Sequence, residues 1–325
     1  MSNTKLLSVI LLSYYSTDRI TDVYEKLTAM FLAEQIPFEL IIIDDGSTDD
    51  SYKTGLQLEK KYANVKAYQL SRNYTSHYGI FAGLSICTGG CAVAIPDDEQ
   101  QPYHLLTESY RLWQKGYKVI IPFRQERKDS FFAKIWAMSF YKLMNYLSDV
   151  PLPPLGADTC FIDREVIDII NDKIHPINTT SLIEIIRLGF EPYYLPYKRI
   201  PGLNKKSRWT FKKKFKLAKD YFFSSSTFPI KLITFLGLFF SVFSFLIMLV
   251  YIYAKLFGNP AFWELEHAPG WTSTILLISF FSGLTLFSLG IIAEYIWRIY
   301  EEVKNRPGYI IKKKSTEEQY GNKFN

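Results

Sequence analysis

Two groups of carboxylates carry the clearest chemical potential in this chain. Asp44 and Asp45 close the apolar run FELIIIDD at 38 to 45, and Asp97, Asp98 and Glu99 follow the uncharged run CAVAIP at 91 to 96. Adjacent acids of this kind suit a hard divalent cation, Mg²⁺ or Mn²⁺, bridging a diphosphate, with a further acid left to read a ribose or base. The stretch DDGSTD from Asp44 to Asp49 also reads as a turn and helix cap, because Gly46, Ser47 and Asp49 are ordinary residues for both. No G-x-x-x-x-G-K-[ST] occurs and no G-x-G-x-x-G follows the first apolar run, which argues against P-loop NTPases and dinucleotide dehydrogenases. Cys87, Cys91 and Cys160 have no zinc spacing and read as reduced, structural thiols.

The elements that must position these acids follow from periodicity. Short apolar runs at 6–14, 38–45, 65–70, 91–98 and 118–123 alternate with helix-like stretches at about 18–34, 50–63, 77–87 and 102–115. That alternation predicts βαβ units and a doubly wound, mostly parallel α/β sheet over roughly residues 1–200, covered on both faces. Ligands of such sheets bind beyond the carboxyl ends of the strands. Both acid groups end predicted strands, so they share that edge.

The second half of the chain has a different composition. Leu232 to Tyr253 and Trp271 to Ala293 contain no charged residue, and each run is long enough to cross a hydrocarbon core of about 30 Å. Two transmembrane helices are expected, with Gly237, Gly283 and Gly290 allowing close helix contact; two buried core helices are the alternative. Lysines and arginines from Lys205 to Lys219 and from Arg298 to Lys314 flank the pair, whereas the loop between carries Lys255 against Glu264 and Glu266. Both termini are therefore expected in the cytoplasm of a cell with the spans in its inner membrane. The net charge of +6 reads as a membrane-facing collar and not as a nucleic-acid surface. The opening MSNTKLLSVILLSYY lacks a small-residue cleavage site and is expected to be a strand, not a signal peptide. Residues 129–148 carry an aromatic and aliphatic stripe at helical spacing, which is either core packing or an interfacial helix. Residues 207–226 interleave lysines and aromatics before the first span and read as interfacial.

In the order SVILLSYY, IIIDDGSTDDS, LSRNYTSHYGIFAGLSICTGG, IPDDEQQP, DTCFIDR and KKSRW, followed by paired spans, the chain resembles the membrane-anchored polyprenyl-phosphate glycosyltransferases of glycosyltransferase family 2. These include dolichyl-phosphate mannose synthase-like enzymes and bacterial undecaprenyl-phosphate sugar transferases. The resemblance implies a GT-A fold and transfer of a sugar from a nucleotide-sugar donor, UDP-linked by resemblance, to a polyprenyl phosphate at the cytoplasmic membrane face, for cell-surface glycan assembly or modification. It further implies nucleotide-site roles for Tyr14, Asp44, Asp45 and Asp97, and a segment closing over the donor at Arg72 and His77. Asp98 corresponds to the second acid of the family's D-x-D metal motif, with Asp97 beside it, and Gln100 to the glutamine that follows. Asp158 corresponds to the acid near the reacting sugar, and Arg124, Ser207 and Arg208 to phosphate-side groups. The implied organisation is a catalytic domain at 1–204, a basic amphipathic interfacial segment at 205–228, a transmembrane hairpin at 229–299 and a basic cytoplasmic tail at 300–325. Homo-oligomers through the Gly237 or Gly283 faces are compatible with it.

The departures from the family pattern bear on chemistry. The pattern D-A-D-L-Q-D-P-P aligns with Pro96 to Tyr103, so proline stands where the first acid should be and Gln101 replaces a later one. Either metal binding is weakened or Asp97 supplies the missing carboxylate. Ala157, Asp158, Thr159 and Cys160 stand for G-D-F-R, and LLSYYS at Leu11 to Ser16 stands for V-P-V-Y-N-E without its acid. An outlying member with altered donor or acceptor preference, or a catalytically impaired scaffold, is expected. A processive polysaccharide synthase and a transferase acting on another lipid-linked glycan are the rival enzymes; against the synthase, Lys205 replaces the glutamine of its Q-x-x-R-W motif.

Overall fold

The computed structural model describes residues 3–98, 101–125, 146, 157, 159–177, 179–198, 226–257 and 271–312. It divides the chain into two compact units, Met1–Ser225 with Arg306–Asn325, and Ser226–Asn305.

The first unit is built on alternating strands and helices. In chain order these are β1 (Asn3–Ser13), α1 (Ile20–Ala33), β2 (Phe38–Asp44), α2 (Ser51–Lys61), β3 (Val65–Gln69), α3 (Ser76–Leu84), β4 (Gly89–Pro96), α4 (His104–Gln114), β5 (Val119–Arg124), β6 (Phe161–Asp163), α5 (Arg164–Lys173), α6 (Ser181–Arg187) and β7 (Tyr193–Tyr197). The five predicted strands and four predicted helices all form. Their strands join a seven-stranded sheet in the order β3-β2-β1-β4-β6-β5-β7. Pairing is parallel from β3 through β4 and between β5 and β7, while β6 runs antiparallel to both β4 and β5.

Strand periodicity divides the core into two layers. Leu7, Val9 and Leu11 of β1 pack with Leu40 and Ile42 of β2 and with Val23, Leu27 and Phe31 of α1 on one face. Ile10, Ile41 and Ile43 point the other way, onto Phe81 and Leu84 of α3 and Val166 and Ile170 of α5. Branched aliphatic residues suit strands buried on both sides, which explains why β1 and β2 read as continuous apolar runs. Pro196 is tolerated because β7 lies at the edge of the sheet.

The second unit contains α7 (Phe228–Phe257) and α8 (Trp271–Val303). The Tyr295 hydroxyl donates to the Ser226 carbonyl at 3.0 Å, and Phe240 meets Phe280 and Phe281 with ring centroids 6.0 and 5.3 Å apart. The helices therefore run antiparallel. Phe280–Val303 is long and apolar enough to cross a membrane by length and composition, and Phe228–Phe240 is a shorter apolar stretch. Beyond α8 the chain rejoins the first unit, where Ile311 forms an antiparallel bridge with Leu70 at the outer side of β3.

Candidate active site

The parallel strands deliver their acids to one edge, as the alternation of elements requires. Asp44 ends β2, and Asp97 and Asp98 follow Pro96 at the end of β4. The intervening loop after β1 carries Tyr14 and Tyr15, with rings in a T-shaped contact at 4.6 Å.

Asp44 is fully buried and saturated with donors. Its Oδ1 accepts from the Ser47 hydroxyl at 2.5 Å, and its Oδ2 from the Ser47 amide at 3.0 Å and the Gln69 side-chain amide at 2.8 Å. Asp45 accepts the backbone amides of Tyr74 and Thr75 at 2.7 and 2.9 Å. The turn reading of DDGSTD thus describes the local geometry, while the strand-end position keeps both acids on the carboxyl edge of the sheet. Gly46 lies at φ +71°, and a Cβ there would come within 2.5 Å of the Arg72 carbonyl carbon. Only glycine lets the 71–75 loop cross the β2 end so closely. Arg72 is exposed on that loop, its guanidinium 4.4 Å from the Tyr74 ring centre.

Two non-glycine residues beside this edge occupy the left-handed region, Tyr15 at φ 51° and Thr75 at φ 83°. Strain of this kind costs about 1–3 kcal/mol per residue and persists where surrounding bonds over-determine it. Here Tyr15 is held through its amide to the Ser47 hydroxyl at 3.0 Å and through its phenol to Thr48 at 2.9 Å. Burial, and then the neighbouring Tyr15, raise the Tyr14 phenol above its ordinary value, so it is neutral at physiological pH.

Asp97, expected to serve nucleotide or metal, has its carboxylate bonded to Arg19. The guanidinium donates to Asp97 Oδ2 from Nη2 at 2.5 Å and from Nε at 3.0 Å, and the Ser16 hydroxyl donates to the same oxygen. Arg19 Nη2 also reaches the Tyr15 carbonyl at 2.9 Å. One buried ion pair therefore ties the end of β4 to the loop bearing Tyr14 and Tyr15. Among the described residues, no group of three or more His, Cys, Asp or Glu side chains is placed to hold a metal ion. Asp98, half-buried at the end of β4, is chemically suited to the expected Mg²⁺ or Mn²⁺ ion, and Asp97 beside it is bonded to Arg19.

Gln101, which replaces a family acid, is structural glue. The Thr159 hydroxyl donates to its Oε1 at 3.2 Å, and its amide reaches the Tyr197 hydroxyl at 3.4 Å. A narrow cleft lined by Pro96, Gln101, Pro102, Pro122 and Thr159 opens beside these bonds. Arg124 ends β5, and His77 lies half-buried in the first turn of α3. Glu99, Gln100, Asp158, Ser207, Arg208, the stripe at 129–148 apart from Tyr146, the segment at 207–225 and the lysines from Lys205 to Lys219 lie outside the described residues.

Arg19 and Gln69 were not singled out by the sequence, and Ser16 and Thr159 only as departures from the family pattern. Arg19 offered one signal, being the only cationic residue between Lys5 and Lys26.

A family model described as "Glycosyl transferase family 2" matches residues 8–169. Among curated proteins, the uncharacterized glycosyltransferase YkcC of Bacillus subtilis (strain 168) is 32% identical over 307 residues, covering 94% of this chain and 93% of that protein. The SfII prophage-derived bactoprenol glucosyl transferase of Shigella flexneri is 32% identical over 281 residues, covering 85% and 87%. Among solved structures, glucosyl-3-phosphoglycerate synthase from Mycobacterium tuberculosis is similar at 15% identity and a TM-score of 0.46, over 66% of this chain and 75% of that one. With a strand-end acid edge and full-length relatives of this kind, the chain belongs to glycosyl transferase family 2.

Proposed function

We propose that this protein transfers a sugar, glucose being the first candidate, from a nucleotide-sugar donor to a polyprenyl phosphate at the cytoplasmic face of a membrane. The observation that carries the reading is the 32% identity, over 85% of the chain, to a protein named for glucosyl transfer to bactoprenol. Two features of the chain support it: the strand-end edge of Asp44, Asp45, Tyr14 and Arg72, and the apolar helices. Side chains such as Phe235, Leu286 and Val303 are 64%, 70% and 77% exposed, a surface suited to lipid and costly in water. We read α7 and α8 as a two-span hairpin, with 1–204 as the catalytic domain and 205–228 as its basic interfacial collar.

In the proposed reaction an oxygen of the lipid monophosphate attacks the anomeric carbon, and the bond from that carbon to the nucleotide diphosphate breaks. A phosphoester with a second pKa near 6 is largely ionised at neutral pH, so no strong general base is needed. The protein must hold the attacking oxygen in line and balance the charge that leaves. Tyr14 and Asp44 frame the nucleotide, Arg72 and His77 close over it, Asp158 orients acceptor or sugar, and Arg124, Ser207 and Arg208 contact phosphate. A divalent cation held with Asp98 would supply further charge compensation, with Asp97 beside it paired to Arg19.

The test is to incubate the purified full-length chain with a panel of nucleotide sugars and undecaprenyl phosphate and to weigh the lipid product. One added hexose per lipid supports the reading; polymer, or transfer only to a pre-glycosylated lipid, replaces it with a rival enzyme. The ion-paired Asp97 favours a second reading, a scaffold without turnover, and absence of product together with absence of nucleotide binding would establish it.

A further inference from the structure

The chain after α8 returns to the sheet at a chemically telling place. The Ser71 amide donates to the Ile310 carbonyl and the Lys312 amide to the Gln69 carbonyl, both at 2.8 Å, around the antiparallel Leu70–Ile311 bridge. The Lys312 ammonium donates to Gln69 Oε1 at 2.8 Å, and Gln69 Nε2 donates in turn to Asp44 Oδ2 at 2.8 Å. Tyr309 donates to the Phe81 carbonyl at 3.3 Å, and Gly308 lies so close to α3 and the 174–177 turn that a Cβ would sit 2.3 Å from the Pro176 carbonyl oxygen. The segment is thus seated by its own complementary contacts from Gly308 to Lys312.

From this arrangement we propose that residues 306–312 form a strap that positions the donor edge, with Lys312 as a positioning residue acting through Gln69 on Asp44. The inference rests on the reading of that edge as the nucleotide site. A glutamine amide can face two ways, but Lys312 has only donors and the Asp44 carboxylate only acceptors. Placed between them, Gln69 must turn Oε1 to the lysine and Nε2 to the acid. Loss of the ammonium leaves Nε2 facing Asp44 and the Ser47 carbonyl but removes the donor that fixes Oε1, so the amide holds the carboxylate less firmly. The same strap anchors Ser71, where the loop carrying Arg72 begins.

The experiment compares Lys312→Met, Lys312→Arg and, as a control for lost charge, Lys304→Met, whose ammonium lies over the Tyr300 ring on α8. Binding of UDP, GDP and dTDP to the full-length chain is measured by calorimetry, with KM and kcat for the sugar nucleotide that the wild type uses. K312M is expected to weaken nucleotide binding and raise KM on the order of threefold to tenfold, the scale of one hydrogen bond, with kcat little changed. K312R is expected to restore binding, K304M to bind as wild type, and all three to unfold within about 2 °C of wild type. Equal binding by K312M and wild type overturns the strap alone, as does a K312M loss matched by a fall in Tm. A wild type that binds no nucleoside diphosphate overturns the strap and the donor reading together.

Discussion

The Arg19–Asp97 pair gives the sharpest test of what the departures around Pro96 mean. Asp97 is 7% exposed and Arg19 19% exposed at the side chain, and one carboxylate oxygen takes two guanidinium bonds and the Ser16 hydroxyl. Removing one partner of a fully buried pair costs about 3–5 kcal/mol, and the partial exposure of Arg19 reduces this to about 2–3 kcal/mol. At about 2–4 °C per kcal/mol for a unit of this size, Arg19→Met and Asp97→Asn should each lower Tm by roughly 4–12 °C. Because both remove the same bonds, the double variant should cost much less than the sum, leaving a coupling of about 1.5–3 kcal/mol. The assay is thermal unfolding of the detergent-solubilised chain, with and without Mn²⁺. Losses that simply add, to within about 0.5 kcal/mol, would refute the pairing. So would a Mn²⁺-dependent stabilisation present in wild type and R19M but absent from D97N, since that pattern makes Asp97 a metal ligand.

Other consequences follow from single positions. Gly46→Ala places a Cβ against the Arg72 backbone at φ +71° and should both destabilise the chain by about 1–3 kcal/mol and raise the donor KM, read by urea unfolding and initial rates. Cys87 and Cys91 are buried, and burial raises both thiols above the ordinary value, so iodoacetamide at pH 8 should label them only after denaturation, as read by peptide mass. Burial works against ionisation of Asp49, but hydrogen bonds from Ser51 and Thr17 outweigh it and lower its carboxyl below 3.8. The unfolded chain then binds that proton more readily, so the contribution of Asp49 is complete above pH 3.8 and lost as pH falls through the folded value. The stability gap between wild type and D49N should therefore be constant near neutrality and close below about pH 4, as followed by denaturant titration at stepped pH.

The sequence was most legible where periodicity and burial agree. Runs such as LLSVILL and FELIII, short, rich in branched residues and alternating with helical stretches, read as strands covered on both faces, and that fixes the edge on which Asp44 and Asp97 emerge. Strand order was not legible beyond that. Phe161–Asp163 is three residues long, too short to show a period, and only tertiary pairing inserts it antiparallel between β4 and β5. At the site, residue type gave position but not partner. Asp97 is an acid at a strand end in either reading, and what decides its role is a guanidinium 78 residues earlier in the chain. The same limit hid Gln69, whose part depends on Lys312, 243 residues later, in a segment that reads as a charged tail.

That last separation bears on how the protein is made. β3 is an outermost strand, and an open strand side is an invitation to mispairing until something covers it. Its cover, the Ile311 bridge, is synthesised only after both long helices. At about 5–20 residues per second, a gap of 243 residues exposes the nascent sheet for roughly 12–50 s. Biogenesis thus withholds the finished strand-end edge from any chain that stalls before both long helices are made.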